Sequence, residues 1–113
     1  METIFSKIMA REIPADIVYE DEHVLAFKDI APQAPVHVLV IPKKYIHNVL
    51  TLEESDTELA GQILLACSKV AQLMGIEEGG ARIVFNCGTD GGQAVPHLHA
   101  HVLGGRKLGW PPG

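Results

Sequence analysis

Three of the chain's six histidines, His97, His99 and His101, fall at alternate positions in the run Pro-His-Leu-His-Ala-His-Val-Leu-Gly-Gly from Pro96 to Gly105. Histidine titrates near neutral pH, and its two ring nitrogens can donate, accept, attack phosphorus or bind a metal. A spacing of two is strand periodicity. At a rise of about 3.3 Å per residue, three imidazoles on a strand would line one face at intervals of about 6.6 Å. Leu98, Ala100 and Val102 would then form an apolar opposite face belonging to a core. On a helix the same residues would fan out by about 100° per step and could not meet one ligand. Ser, Thr or Lys would solvate a polar face equally well, and strand propensity gives no reason for histidine. The row therefore reads as a site.

Two chemistries suit it. An imidazole whose second nitrogen donates to a fixed acceptor aims a lone pair and can attack phosphorus, while neighbouring imidazoles bind phosphoryl oxygens or protonate a leaving group. His99 is the expected nucleophile, because it alone has a histidine on either side in the row. Just upstream, Gly88-Thr89-Asp90-Gly91-Gly92-Gln93 reads as a glycine-rich loop whose unhindered amides suit a phosphate or another oxyanion. The competing chemistry is zinc: two histidines one residue apart on a strand form a recurrent ligand pair, and His37 from another strand could complete the set. No His-Glu or Cys-X-X-Cys partner accompanies them. Spacing alone leaves the two readings level.

The elements that must position these residues fit one domain, residues 1–113. With 47% apolar and 20% charged residues and a formal net charge of −5, the composition is that of a soluble globular protein. No basic run offers a nucleic-acid surface, although a single phosphate could still be held by backbone amides. The N-terminal Met-Glu-Thr-Ile-Phe lacks the features of a signal peptide, and no apolar stretch approaches a membrane span. Cys67 and Cys87 are too few for a disulfide framework, so the expected location is the reducing cytoplasm.

Taken in order, residues 3–12 suit a short amphipathic helix with Thr3 as N-cap and Pro14 beyond its end. Ile17 to Tyr19 and Val24 to Phe27 read as a hairpin around the acidic Glu20-Asp21-Glu22 turn. Asp29 to Pro35 carries two prolines and reads as a loop. Val36 to Ile41 is a strand carrying His37, and Lys43 and Lys44 follow as solvated charge. From Asp56 to Met74, Leu59, Ile63, Cys67, Val70 and Met74 recur at helical spacing along one stripe, with Gly75 as the natural cap. Arg82 to Cys87 reads as a strand feeding the glycine-rich loop and then the histidine strand. Antiparallel strands with one long crossing helix make an α+β fold. The tail ends in the chain's only Trp, Trp110, a large ring that should dock on its own domain or on a neighbour.

The row itself matches the alternating His-apolar signature of the histidine triad superfamily. The rest of the chain resembles the Hint branch of that superfamily, the histidine triad nucleotide-binding proteins. Thr3-Ile4-Phe5, Phe27-Lys28-Asp29-Ile30, Gln33-Ala34-Pro35, Leu39-Val40-Ile41-Pro42-Lys43-Lys44, Asp90-Gly91-Gly92-Gln93, Gly104-Gly105-Arg106 and Trp110-Pro111-Pro112-Gly113 carry the resemblance.

The resemblance implies a HIT-like fold with a five-stranded antiparallel sheet, one long and one short helix, and a homodimer joining two sheets into a ten-stranded one. It implies a purine nucleoside phosphoramidase that hydrolyses the P–N bond of adenosine or guanosine 5′-phosphoramidates without a metal cofactor. It also admits a regulatory or scaffold protein that binds nucleotides with incidental hydrolysis. By the same likeness His99 is the nucleophile, His101 and His97 contact the α-phosphate, His101 helps protonate the amine, and His37 supports the triad. Asp29 accepts from the ribose hydroxyls, and Phe5, Ile8, Ile13, Phe27 and Ile30 wall the purine pocket. Asn86, Gly92 and Gln93 lie where the family contacts phosphate or leaving group, and the tail with Trp110 crosses to the partner's site. Ala94 stands where several Hint enzymes carry a serine, which implies an altered leaving-group preference. Tyr45 stands where the family's lysine pair is often followed by a histidine, so His47 inherits no role.

Overall fold

A computed structural model describes residues Met1–Gly113. Five antiparallel strands, β1 (Ile17–Glu20), β2 (Val24–Lys28), β3 (Val36–Pro42), β4 (Ala81–Val84) and β5 (Ala100–Gly104), form one sheet in the order β1-β2-β3-β5-β4. Between β3 and β4 the long helix α2 (Thr57–Leu73) crosses one face, while α1 (Ile4–Met9) covers part of the other. No helix is long and apolar enough to cross a membrane.

Alternation along the strands explains the two layers. Val24 and Ala26 of β2, Val38 and Val40 of β3 and Ala100 and Val102 of β5 pack with Ile63, Ala66, Cys67 and Val70 of α2. The intervening Leu25, Phe27, Leu39 and Ile41 pack instead with Phe5 and Ile8 of α1. β2 is thus buried on both faces, which is why four of its five residues are apolar and inaccessible. Cys67 is the expected core thiol, with burial raising its pKa to about 11.

Several boundaries differ from the sequence reading. Thr3 caps α1 as expected, its hydroxyl accepting from the Phe5 and Ser6 amides, but the helix stops at Met9 instead of residue 12. Asp21 organises the hairpin by accepting from the His23 and Val24 amides. Lys43 and Lys44 are not free solvated charges: Lys43 pairs with Glu20 at 2.8 Å and Lys44 with the buried Asp56 at 2.7 Å. β4 ends at Val84, leaving Phe85, Asn86 and Cys87 outside the ladder. The glycine-rich loop contains a single helical turn, α3 (Gly88–Gly91), closed by Gly92 at φ +76°. Gly105 has φ +92°, and a Cβ there would lie 2.8 Å from Pro35 Cβ, so the chain can leave β5 beside the proline loop only at glycine.

The largest difference concerns the histidine row. β5 begins at Ala100, so only His101 sits on a ladder, opposite Leu39 of β3 and Val84 of β4. His97 lies in a bend and His99 just ahead of the strand. Pro96 and the glycine-rich turn keep this approach segment from extending the pairing.

Candidate active site

The four histidines that the sequence singles out converge on the α1 side of the sheet. His37 precedes Leu39 by two residues on β3, and His101 faces Leu39 across the β3–β5 ladder, so both share the face of the Phe5 cluster. Ring centroids are 5.1 Å apart for His37 and His101 and 5.0 Å for His99 and His101. Phe5 from α1 meets His99 and His97 edge-on at 5.1 Å and 5.8 Å.

Hydrogen bonds fix which nitrogen of each ring carries the proton. The His99 Nδ1 lies 2.7 Å from the carbonyl oxygen of His97, which can only accept. Nδ1 therefore holds the proton, and Nε2 is left with its lone pair. The Gln33 amide donates to His37 Nδ1 at 3.0 Å, so the His37 proton is on Nε2, 2.8 Å from His101 Nδ1. His101 accepts at Nδ1 and so carries its own proton on Nε2, which is buried and has no partner within the protein. His97 donates from Nε2 to the Pro42 carbonyl at 2.9 Å, leaving a buried, unpartnered Nδ1.

Electrostatics keep the triad uncharged. Burial lowers His101 to about 4, reinforced by the neighbouring His99 and His37 and opposed by Asp29. His99 and His97 are lowered as well, again chiefly by burial, against the stabilising pull of their carbonyl acceptors. At neutral pH the site holds a row of neutral imidazoles in fixed tautomers. An incoming anion beside His101 would work against its burial and draw a proton in.

Not every expected residue reaches this centre in its expected role. His97 is only 1% exposed, walled edge-on by Phe5 and Tyr45 and bound to Pro42, so its ring is not presented to a phosphate. What it offers is its carbonyl. His99 accordingly has one imidazole neighbour, and its lone pair is aimed by a peptide oxygen rather than by a flanking ring. Asp29 caps the Ala31 amide with Oδ1 and places Oδ2 3.5 Å from His37 Nε2. Phe5, Ile8 and Phe27 are buried together with Ile13 against them, whereas Ile30 is 95% exposed and stands apart from that wall. Asn86 lines a cleft with His37, His101, Gly91, Pro112 and Gly113. Gly92 and Ala94 are exposed, and the Gln93 side chain is consumed by bonds to neighbouring loops. Trp110 is 81% exposed, with the Arg82 guanidinium 5.9 Å from its ring.

A zinc ion fits this arrangement poorly. The only convergent donor set is Asp29, His37 and His101, whose ligand atoms lie within 4.8 Å of one another. A ligating histidine donates its second ring N–H to an acceptor. In His37 that second nitrogen instead accepts from the Gln33 amide, which leaves a proton on the atom facing any metal. The His97 lone pair is buried beneath Phe5 and Tyr45 and does not join the set.

A HIT domain family model matches residues 10–108. The chain belongs to the HIT family. It is 57% identical over 112 residues to an uncharacterised HIT-like protein of Synechococcus elongatus, covering 99% of this chain and 97% of that one. Among solved structures it is similar to a HIT family hydrolase from Legionella pneumophila, with TM-score 0.96 and 50% identity over 99% of this chain and all of the other. A histidine triad protein from Clostridium difficile has TM-score 0.90 at 44% identity, covering 96% and 97% of the two chains. The chain therefore has the HIT fold over essentially its whole length.

Within this HIT domain three contributors escaped the sequence reading. Gln33 acts through its backbone amide, the Pro42 carbonyl anchors His97, and Tyr45 packs edge-on against His97 at 5.6 Å. Backbone groups carry no sequence signal, so the first two were invisible in principle. Tyr45, which departs from the family pattern, serves by packing against the His97 ring.

Proposed function

We propose that this HIT protein is a Hint-type hydrolase that cleaves the P–N bond of purine nucleoside 5′-phosphoramidates. The observation carrying this reading is the His99 Nδ1–H bond to the His97 carbonyl, which leaves a neutral imidazole with its Nε2 lone pair uncommitted. His99 Nε2 attacks the α-phosphorus, the P–N bond breaks, and the departing amine takes a proton. A nucleotidyl-His99 intermediate results. Water then attacks phosphorus, the N–P bond to His99 breaks, and the nucleoside monophosphate leaves. His101 donates from Nε2 to a phosphoryl oxygen; the proton that the departing amine takes reaches it through this nitrogen, and the water that attacks in the second step gives one proton back to the same nitrogen, so the site ends as it began.

The apolar cluster of Phe5, Ile8, Ile13 and Phe27 supports a flat purine beside the triad, and Asp29 Oδ2 offers an acceptor to a ribose hydroxyl. Asn86, which shares a cleft with His37 and His101, would border the phosphate, and likeness to the family puts Gly92 and Ala94 beside it. A homodimer belongs to the same proposal. β4 is a sheet edge with Ile83 43% exposed on it, and Leu64, Leu65 and Leu73 of α2 stand in solvent. An unpaired edge strand and exposed leucines on α2 both favour a second copy, one continuing the sheet and the other covering the helix. The tail with Trp110 then reaches the partner's site.

The test is release of AMP from an adenosine 5′-phosphoramidate in chelator-treated buffer by wild type and by His99→Ala. Turnover by wild type and none by the variant supports the proposal. Wild type inert with chelator and active with zinc would overturn it.

A further inference from the structure

We infer that Gln93 is a positioning residue that fixes the nucleophile's aim rather than a ligand of the phosphate, an inference that rests on His99 being the nucleophile. A glutamine amide has two N–H donors and an oxygen with two lone pairs. All four are occupied. Nε2 donates to the His47 carbonyl at 2.7 Å and to the Val95 carbonyl at 3.0 Å, while Oε1 accepts from the Gly88 amide at 2.9 Å and from Asn48 Nδ2 at 3.1 Å. Nothing on the side chain is left for a phosphoryl oxygen.

The site needs such a brace. His97, Leu98 and His99 precede β5 and have no ladder to hold them. Their anchors are the Leu98 amide on the Ile46 carbonyl at 2.7 Å and His97 Nε2 on the Pro42 carbonyl at 2.9 Å. Both acceptors lie in the segment from Pro42 to Asn48. Gln93 ties the glycine-rich turn to that same segment through His47 and Asn48, and Asn48 is itself buried. The brace therefore sets the register between the two segments, and with it the His97 carbonyl that orients His99. A small misplacement there would spoil attack geometry without removing any group that touches substrate.

Gln93→Met keeps the shape and removes all four bonds. We expect its kcat toward an adenosine phosphoramidate to fall about 10- to 100-fold while AMP affinity, measured by calorimetry, stays within about threefold. Gln93→Glu, which loses both donated bonds, should behave alike. Unchanged kcat with AMP affinity weakened would overturn the inference and make Gln93 a phosphate ligand. A lowered melting temperature with kcat of the folded enzyme intact would also overturn it. A measurement on the native enzyme guards against variants that do not fold. The Gln93 side-chain amide resonance should shift no more than that of Asn48 when AMP is added, and a selective large shift contradicts the brace. If wild type itself does not turn over, the phosphoramidase reading fails, while the resonance still decides what Gln93 does.

Discussion

His37 Nε2 lies 2.8 Å from His101 Nδ1, and because the Gln33 amide already donates to the other side of the His37 ring, the proton between the two rings belongs to His37. The amide of Gln33, in the loop that enters the central strand β3, thus dictates that His101 carries its proton on Nε2 and keeps no lone pair there. This makes His37 a positioning group acting through His101.

His37→Ala releases His101 to place its proton on either nitrogen. The expected result is a kcat lower by about 10- to 100-fold with AMP affinity nearly unchanged, and partial recovery in His37→Gln, whose amide can still donate to Nδ1. Steady-state kinetics read the loss, and nitrogen NMR of His101 should show a mixed tautomer in the alanine variant.

The buried imidazoles make stability pH-dependent. His101 is at about 4 in the folded protein against an ordinary 6.5, so between these values the unfolded chain binds more protons than the folded one. Stability is then complete above about 6.5 and declines as pH falls toward 4. His97 and His99 act in the same direction, as do the lowered carboxyls of Glu20, Asp21 and Asp56. Urea midpoints at pH 7 and pH 5 should differ less in His101→Asn than in wild type.

Ala94 is exposed beside the turn that precedes the triad. Restoring a hydroxyl with Ala94→Ser should add a hydrogen bond near the phosphate or leaving amine, worth about 1–3 kcal/mol. The relative kcat/KM among amine leaving groups should change by about tenfold. Identical ratios across a panel of amines would refute this.

Trp110 is too exposed to be a core residue of its own chain, and Arg82 holds the tail by donating to the Gly109 carbonyl at 2.8 Å. Deleting residues 108–113 should alter selectivity among leaving groups while the dimer survives. Sedimentation of the truncated protein as a monomer would contradict the proposed assembly.

Much of this was legible in the sequence for identifiable reasons. The apolar run from Val36 to Ile41 reads as a strand carrying His37, and β3 forms there, although which face each residue takes emerges only from the packing. Thr3 gave the start of α1, and the Ile63-Cys67-Val70 stripe gave the buried side of α2. Alternation misled at His97 and His99, where a period of two persists without a partner strand, since Pro96 and the glycine-rich turn prevent pairing. Ile30 enters the expected purine wall only by likeness to the family; in the fold it is 95% exposed and lies outside the buried Phe5 cluster, because a loop residue's direction is set by its backbone and not by its neighbours in sequence. Gln93 is placed at the phosphate only by likeness to the family; its four internal bonds arise once the Pro42–Asn48 segment folds against the glycine-rich turn, and no residue type or spacing announces them.

The most direct test of His99 as the nucleophile is rapid-quench mass spectrometry of the enzyme mixed with excess adenosine phosphoramidate in chelator-treated buffer. A transient adenylyl adduct is expected that maps by proteolysis to His99 Nε2 and forms at least as fast as AMP is released. Steady turnover with no adduct, or an adduct on His97, His101 or another residue, would contradict it.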